Sequence, residues 1–189
     1  RLNAIIGFSE LMMNERFGAL NNERYRNYAA DIHSSGTLVL QLVNDLLDIS
    51  RIEAGAQALD FRAVNLNTVV GDALAILQPQ ANRERVLLRT SLADPLPELV
   101  ADERSLKQII LNLVSNAIRF TDAGGQVIIS TAYEADGNLS LRVRDTGIGM
   151  NDNELADAMK PYRQVGNRPQ GEAGGTGLGL PLARALAES

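Results

Sequence analysis

The sequence has no cysteine and one histidine in 189 residues. The first absence excludes disulfides, thiolate nucleophiles and Cys-ligated metals, and the second excludes a multi-histidine zinc site. Positive charge is also scarce: 18 Lys and Arg stand against 23 Asp and Glu, a net charge of −5. Such a chain is a poor fit to a nucleic-acid backbone gripped over a wide surface, so nucleic acid is not expected as a partner and any anion must be held locally by a few donors. No apolar run is long enough to cross a bilayer, and no signal-peptide pattern opens the chain, so direct membrane insertion is not expected and a cytoplasmic location is. What is present is 45% hydrophobic and 22% charged residues, an ordinary globular composition. The length suits one medium domain with a smaller unit.

Hydrophobic spacing divides the chain. Leu2, Ile5, Ile6, Met12 and Met13 recur at helical intervals over about residues 2–17. Gly18 and Asn21-Asn22 punctuate a connection, and a longer helix over 23–53 carries Tyr25, Ala29, Ile32, Val39, Val43, Leu46, Ile49 and Ile52 on one stripe, with Gly55 a stop signal. A hairpin of this kind has almost no core of its own, so residues 1–60 are expected to form half of a dimeric four-helix bundle. Beyond residue 60 the pattern mixes strands and helices. Strands are expected at 61–64, 86–92, 127–133 and 139–144, the last two joined by Asp136-Gly137-Asn138. Helices are expected from Asn67 to about Gln78, where Pro79 kinks or ends the helix, from 103 to 120 behind an Asp102 cap, and from near Pro181. The absence of regular βαβ alternation makes this an α+β layer.

Three objects carry candidate chemistry. On the 103–120 helix, Ser105, Gln108, Asn112, Asn116 and Arg119 fall within an arc of about 80° at 100° per residue, and most other directions are apolar. The plain reading is a solvated face, but neutral amides with one cation also suit a metal or phosphate oxygen. The second object, Asp145-Thr146-Gly147-Ile148-Gly149, follows a strand. Its carboxylate can accept from an exocyclic amine, and its glycines let the backbone approach a flat ring. A simple strand-to-helix turn reads the same way. The third is Gly174-Gly175-Thr176-Gly177-Leu178-Gly179-Leu180-Pro181. It offers backbone N–H groups and a helix N-terminus to an anion, or else forms a linker. It is neither a Rossmann fingerprint nor a P-loop, since the third glycine and a Gly-Lys-Ser/Thr are missing.

The order of the three resembles the nucleotide-binding domain of sensor histidine kinases, of the histidine kinase/Hsp90/gyrase type. The amide helix reads Asn112-Leu113-Val114-Ser115-Asn116-Ala117-Ile118-Arg119-Phe120. The opening Leu2-Asn3-Ala4-Ile5-Ile6-Gly7-Phe8-Ser9-Glu10 and the later Asp45-Leu46-Leu47-Asp48-Ile49-Ser50-Arg51-Ile52-Glu53-Ala54-Gly55 resemble that family's phosphotransfer hairpin, in an alphaproteobacterial DivJ/PleC-like flavour. The resemblance implies a dimerisation and histidine-phosphotransfer hairpin (1–60), with the phosphoacceptor His four residues before residue 1. An α/β-sandwich catalytic domain (61–189), C-terminally truncated, would follow. It implies that Asn112 ligates Mg²⁺, that Asn116, Arg119 and Phe120 belong to the ATP site, and that Asp145 holds the adenine amino group. Gly147 and Gly149 would shape the base pocket. Gly175, Thr176, Gly177, Leu178 and Gly179 would flank the triphosphate, with 166–174 a mobile lid. Met159 and Tyr162 stand where the family has two aromatics, and Arg119 where it has lysine. His33, before Ser34-Ser35-Gly36, lacks the acidic neighbour of family acceptors and reads as a packing or surface residue.

The function implied is autophosphorylation on histidine from Mg·ATP, then transfer to an aspartate on a response regulator receiver domain, within a homodimer. The rivals are a non-catalytic scaffold of the same fold and an ATP-hydrolysing machine of the same superfamily. Membrane tethering of a longer parent is left open.

Overall fold

The computed structural model describes residues 2–54, 58–163 and 176–189. Its first part is a helical hairpin, α1 (Leu2–Met13) and α2 (Glu23–Glu53), packed along each other. Gly36 lets them approach: a Cβ there would stand 3.0 Å from Ile6 Cγ1. The first helix is shorter than its apolar spacing suggests, because the chain turns at Glu15 with φ 51° and the Glu15 carboxylate accepts from Leu20 N at 3.1 Å. Asn22 caps α2 by accepting from Arg24 N. Most of the α2 stripe is uncovered: Tyr25, Ile32, Val39, Val43 and Leu46 are all exposed.

The second part is α/β. Strands β1 (Phe61–Val64) and β3 (Leu99–Asp102) pair antiparallel. Strands β2 (Leu87–Leu92), β4 (Gln126–Tyr133) and β5 (Leu139–Asp145) form a mixed sheet, β2 parallel and β5 antiparallel to β4. Helices α3 (Leu66–Glu84) and α4 (Glu103–Phe120) cover one face of it, and α6 (Gly179–Glu188) lies beside α4. A short α5 (Asp152–Ala158) follows the β5 loop. The core between helices and sheet includes Val70, Ala73, Ile110, Val114, Ile118, Val127 and Ile129, all buried.

Around α3 the structure differs from the sequence expectation in two further details. The cap of α3 is Asn65, accepting from Thr68 N at 3.1 Å. Asn67 instead ties the helix to the sheet, donating to Ala93 O and accepting from Thr131 Oγ1, both at 2.8 Å. Pro79 does not end α3, which runs on to Glu84 because Leu77 and Ala81 are buried on either side of it; core packing there outweighs a proline penalty of about 3 kcal/mol. Asp102 caps α4 as expected. The backbone N–H groups of Ser105 (2.7 Å) and Asp60 (2.9 Å) donate to it and hold its carboxyl below the usual carboxylate range.

Candidate nucleotide site

The polar stripe of α4 is half-buried rather than solvated. Asn112, Asn116, Arg119 and Gln108 are all partly covered, and Ser105 is buried. Gln108 Nε2 donates to Asn112 Oδ1 at 3.3 Å. The other amide atom, Asn112 Nδ2, is buried without a hydrogen-bond partner among the described residues. A buried donor left unpaired costs about 1–3 kcal/mol, so this position favours an incoming acceptor. Arg119 stacks on Phe120, its guanidinium carbon 5.1 Å from the ring centroid.

The start of α6 lies against the same place. A Cβ at Gly179 would sit 3.9 Å from Asn112 Cβ, in ordinary contact, so the first turn of the helix lies directly beside that side chain. Helices α2, α3, α4 and α5 carry side-chain caps from Asn22, Asn65, Asp102 and Asn151, whereas Leu178 at the α6 N-cap provides none. Uncapped N–H groups and the positive end of the helix beside an unpaired amide make an arrangement suited to phosphate oxygens. Gly177 takes φ 69°, and its carbonyl accepts from Tyr162 N at 3.2 Å, with Tyr162 at φ 64°. Gly175, Gln164, Gly55 and the 166–174 segment lie outside the described residues.

The Asp145 loop, the second of the three sequence objects, closes the far end of α4. Asp145 ends β5, and its Oδ1 accepts from Gly147 N at 2.8 Å. Its other oxygen makes no hydrogen bond among the described residues, and the side chain is exposed. Ile148 N donates to the carbonyl of Phe120 at 3.3 Å, pinning the loop to the end of α4. A Cβ on Gly147 would overlap that same carbonyl oxygen. Gly149 turns the chain at φ 67°. Exposed Ile148 and Met150 flank the loop, an apolar surface for a flat ring.

One contact lay outside the sequence reading: Thr176 Oγ1 donates to Asp45 Oδ2 at 3.0 Å, joining the glycine-rich loop to α2. Asp45 sits inside the hairpin motif, but nothing in its local spacing marks a partner 131 residues away. His33 is half-buried on α2, far along the hairpin sequence from any of these residues. Among the described residues no group of three or more His, Asp or Glu is placed to hold a metal, and no helix is long and apolar enough to cross a membrane.

Comparison with known proteins places both parts of the chain. Residues 101–189 match the family of histidine kinase-, DNA gyrase B-, and HSP90-like ATPases, and residues 2–55 match the His Kinase A (phospho-acceptor) domain. The cell-division control histidine kinase PdhS of Brucella canis is 57% identical over 197 residues, covering 100% of this chain and 19% of that protein. PdhS of Brucella abortus is 58% identical over 196 residues with the same coverage. The chain thus spans about 19% of the length of these curated relatives. Among solved structures, full-length ShkA in complex with AMPPNP has a TM-score of 0.76 at 29% identity, covering 99% of this chain and 38% of that one. Histidine kinase AdeS of Acinetobacter baumannii shares the fold at a TM-score of 0.67 and 22% identity, covering 98% of this chain and 82% of that one. The chain belongs to the sensor histidine kinases, as a phospho-acceptor-type hairpin joined to an ATPase-type α/β domain.

Proposed function

We propose that this chain binds ATP with Mg²⁺ between α4, the Asp145 loop and the start of α6, and donates the γ-phosphoryl group to a histidine. The observation that carries the reading is the buried, unpaired Nδ2 of Asn112 beside the uncapped α6 N-terminus. In this reading the free oxygen of Asp145 accepts from the adenine amino group. Gly147 and Gly149 admit the ring, and Asn116, Arg119 and Phe120 border the phosphates. Thr176, Gly177, Leu178 and Gly179 flank the triphosphate. A magnesium ion takes most of its oxygens from phosphates and water, so one amide is a sufficient protein contribution. Asn112 would supply it by turning its amide over, with Gln108 turning in step to donate to the phosphates instead. Bound there, Mg²⁺ would neutralise charge on the β- and γ-phosphates.

The chemistry is positioning and charge compensation. An imidazole nitrogen attacks the γ-phosphorus, the bond to the β-phosphate oxygen breaks, ADP leaves and the imidazole proton passes to a base. The phosphoryl group then moves from nitrogen to a carboxylate oxygen of an aspartate on a response regulator. The exposed apolar stripe of α2 supports a homodimer through residues 1–60, with 61–189 as the catalytic unit. Such a kinase would work in the cytoplasm, where ATP and receiver domains are found.

The Asn112→Ala variant separates site from fold. The substitution removes an unpaired donor and gives up one long hydrogen bond from Gln108 at 3.3 Å, so thermal unfolding without nucleotide stays within about 1 kcal/mol of the parent, the net worth of one such bond. The Mg²⁺-dependent gain in nucleotide affinity falls at least tenfold in a titration. An unchanged metal requirement contradicts the assignment.

A further inference from the structure

Asp45 is a buried charge on the hairpin. It is 6% exposed on α2, and burial pushes its carboxyl above the usual range, a shift that the Thr176 hydrogen bond opposes and neighbouring Asp48 reinforces. The one proton of the Thr176 hydroxyl is committed in this arrangement. It donates to Asp45 at 3.0 Å and accepts from Leu178 N at 3.2 Å. A hydroxyl has one proton to give, and a phosphate oxygen can only accept. Thr176 therefore cannot donate to a phosphate until Asp45 releases it. The surroundings do not seal the pair in place: a cleft of about 500 Å³ opens beside it between α2 and α4, bordered by Gln41, Asn44, Asp48, Arg51 and Gln108.

We propose that Asp45 is a positioning residue that withholds the Thr176 hydroxyl from nucleotide phosphates, so that docking of the hairpin on the glycine-rich loop and nucleotide binding compete. This rests on the ATP site proposed above. In the docked arrangement Thr176 belongs to α2. With nucleotide bound its proton turns to a phosphate, Asp45 loses its partner, and a carboxylate without one leaves the buried position for water. The loaded domain is thereby released from this part of the hairpin.

The test reads Asp45 directly. The chain is labelled with a water-soluble carbodiimide and glycine ethyl ester, with and without saturating AMPPNP and Mg²⁺, and modification of each carboxyl is measured by peptide mass spectrometry. Nucleotide affinity is titrated in the same samples. Modification of Asp45 is expected to rise at least fivefold on binding, while exposed Asp31 on the same helix stays constant. The Asp45→Ala variant, which frees the hydroxyl, is expected to bind nucleotide about fivefold more tightly, whereas a merely structural role leaves affinity unchanged or weaker. Equal protection of Asp45 in samples that demonstrably bind nucleotide overturns the inference, as does unchanged or weaker binding by Asp45→Ala. A titration showing no nucleotide binding overturns the ATP reading itself, and this inference with it.

Discussion

Asp145→Asn is expected to reduce nucleotide affinity by at least about a hundredfold while leaving the fold in place. The reason lies in how the two carboxylate oxygens are divided. Oδ1 is already claimed by Gly147 N at 2.8 Å, which holds the turn after β5. Only the second oxygen is open to an adenine amino group. An asparagine has a single oxygen, and the turn would keep it, so the amide NH₂ would face the amine of the base. Donor would meet donor. The loss combines a hydrogen bond to a charged group, about 1.5–3 kcal/mol, with a similar penalty for the unpaired donors, and each 1.4 kcal/mol is a factor of ten. Titration of the variant with an ATP analogue checks this, and binding within tenfold of the parent contradicts the adenine assignment.

Gly147→Ala acts on the same loop through packing. A Cβ there would overlap the Phe120 carbonyl oxygen and come within 2.9 Å of its carbon and 2.8 Å of Asp145 Oδ1. The obstacle is backbone at the end of α4, which cannot rotate aside. The loop must therefore leave α4, giving up the Ile148-to-Phe120 hydrogen bond. We expect a destabilisation of about 3 kcal/mol, the upper range for overpacking, read as a fall in Tm of roughly 6–12 °C for a chain of this size. Nucleotide affinity drops with it. The control is Gly149→Ala, where the added Cβ meets nothing within 4 Å. Its cost is only that of φ 67° in a non-glycine residue, about 1–2 kcal/mol. Equal stability losses in the two variants contradict the close-approach account.

Much of this architecture was readable because it is written locally. The 103–120 helix appears with both ends as expected, since Asp102 caps it and its apolar positions face the core. The β4–β5 hairpin follows from alternation and from Asp136-Gly137-Asn138. The elements that escaped are those fixed at a distance. Strand β3 has four residues and exists because β1 lies beside it, so no internal period announces it. Asn65 and Asn67 are equally good caps by type, and only the positions of Ala93 and Thr131 decide that Asn67 works across the fold. A helix N-terminus was expected after the glycine-rich stretch 174–181, but its missing side-chain cap and the unpaired Asn112 amide beside it are properties of the folded chain alone. The Asp45–Thr176 bond belongs to the same class, a pair assembled from the hairpin and the glycine-rich loop.

The central claim is phosphoryl transfer from ATP to histidine, and one labelling experiment addresses it. Full-length protein carrying this core is incubated with Mg²⁺ and γ-labelled ATP, then the protein-bound label is challenged with acid and with alkali. The account predicts label that acid removes and alkali spares, the behaviour of a phosphorus–nitrogen bond, and that is lost in the Asp145→Asn variant. Protein that binds ATP yet takes up no label, or holds its label through acid, contradicts it.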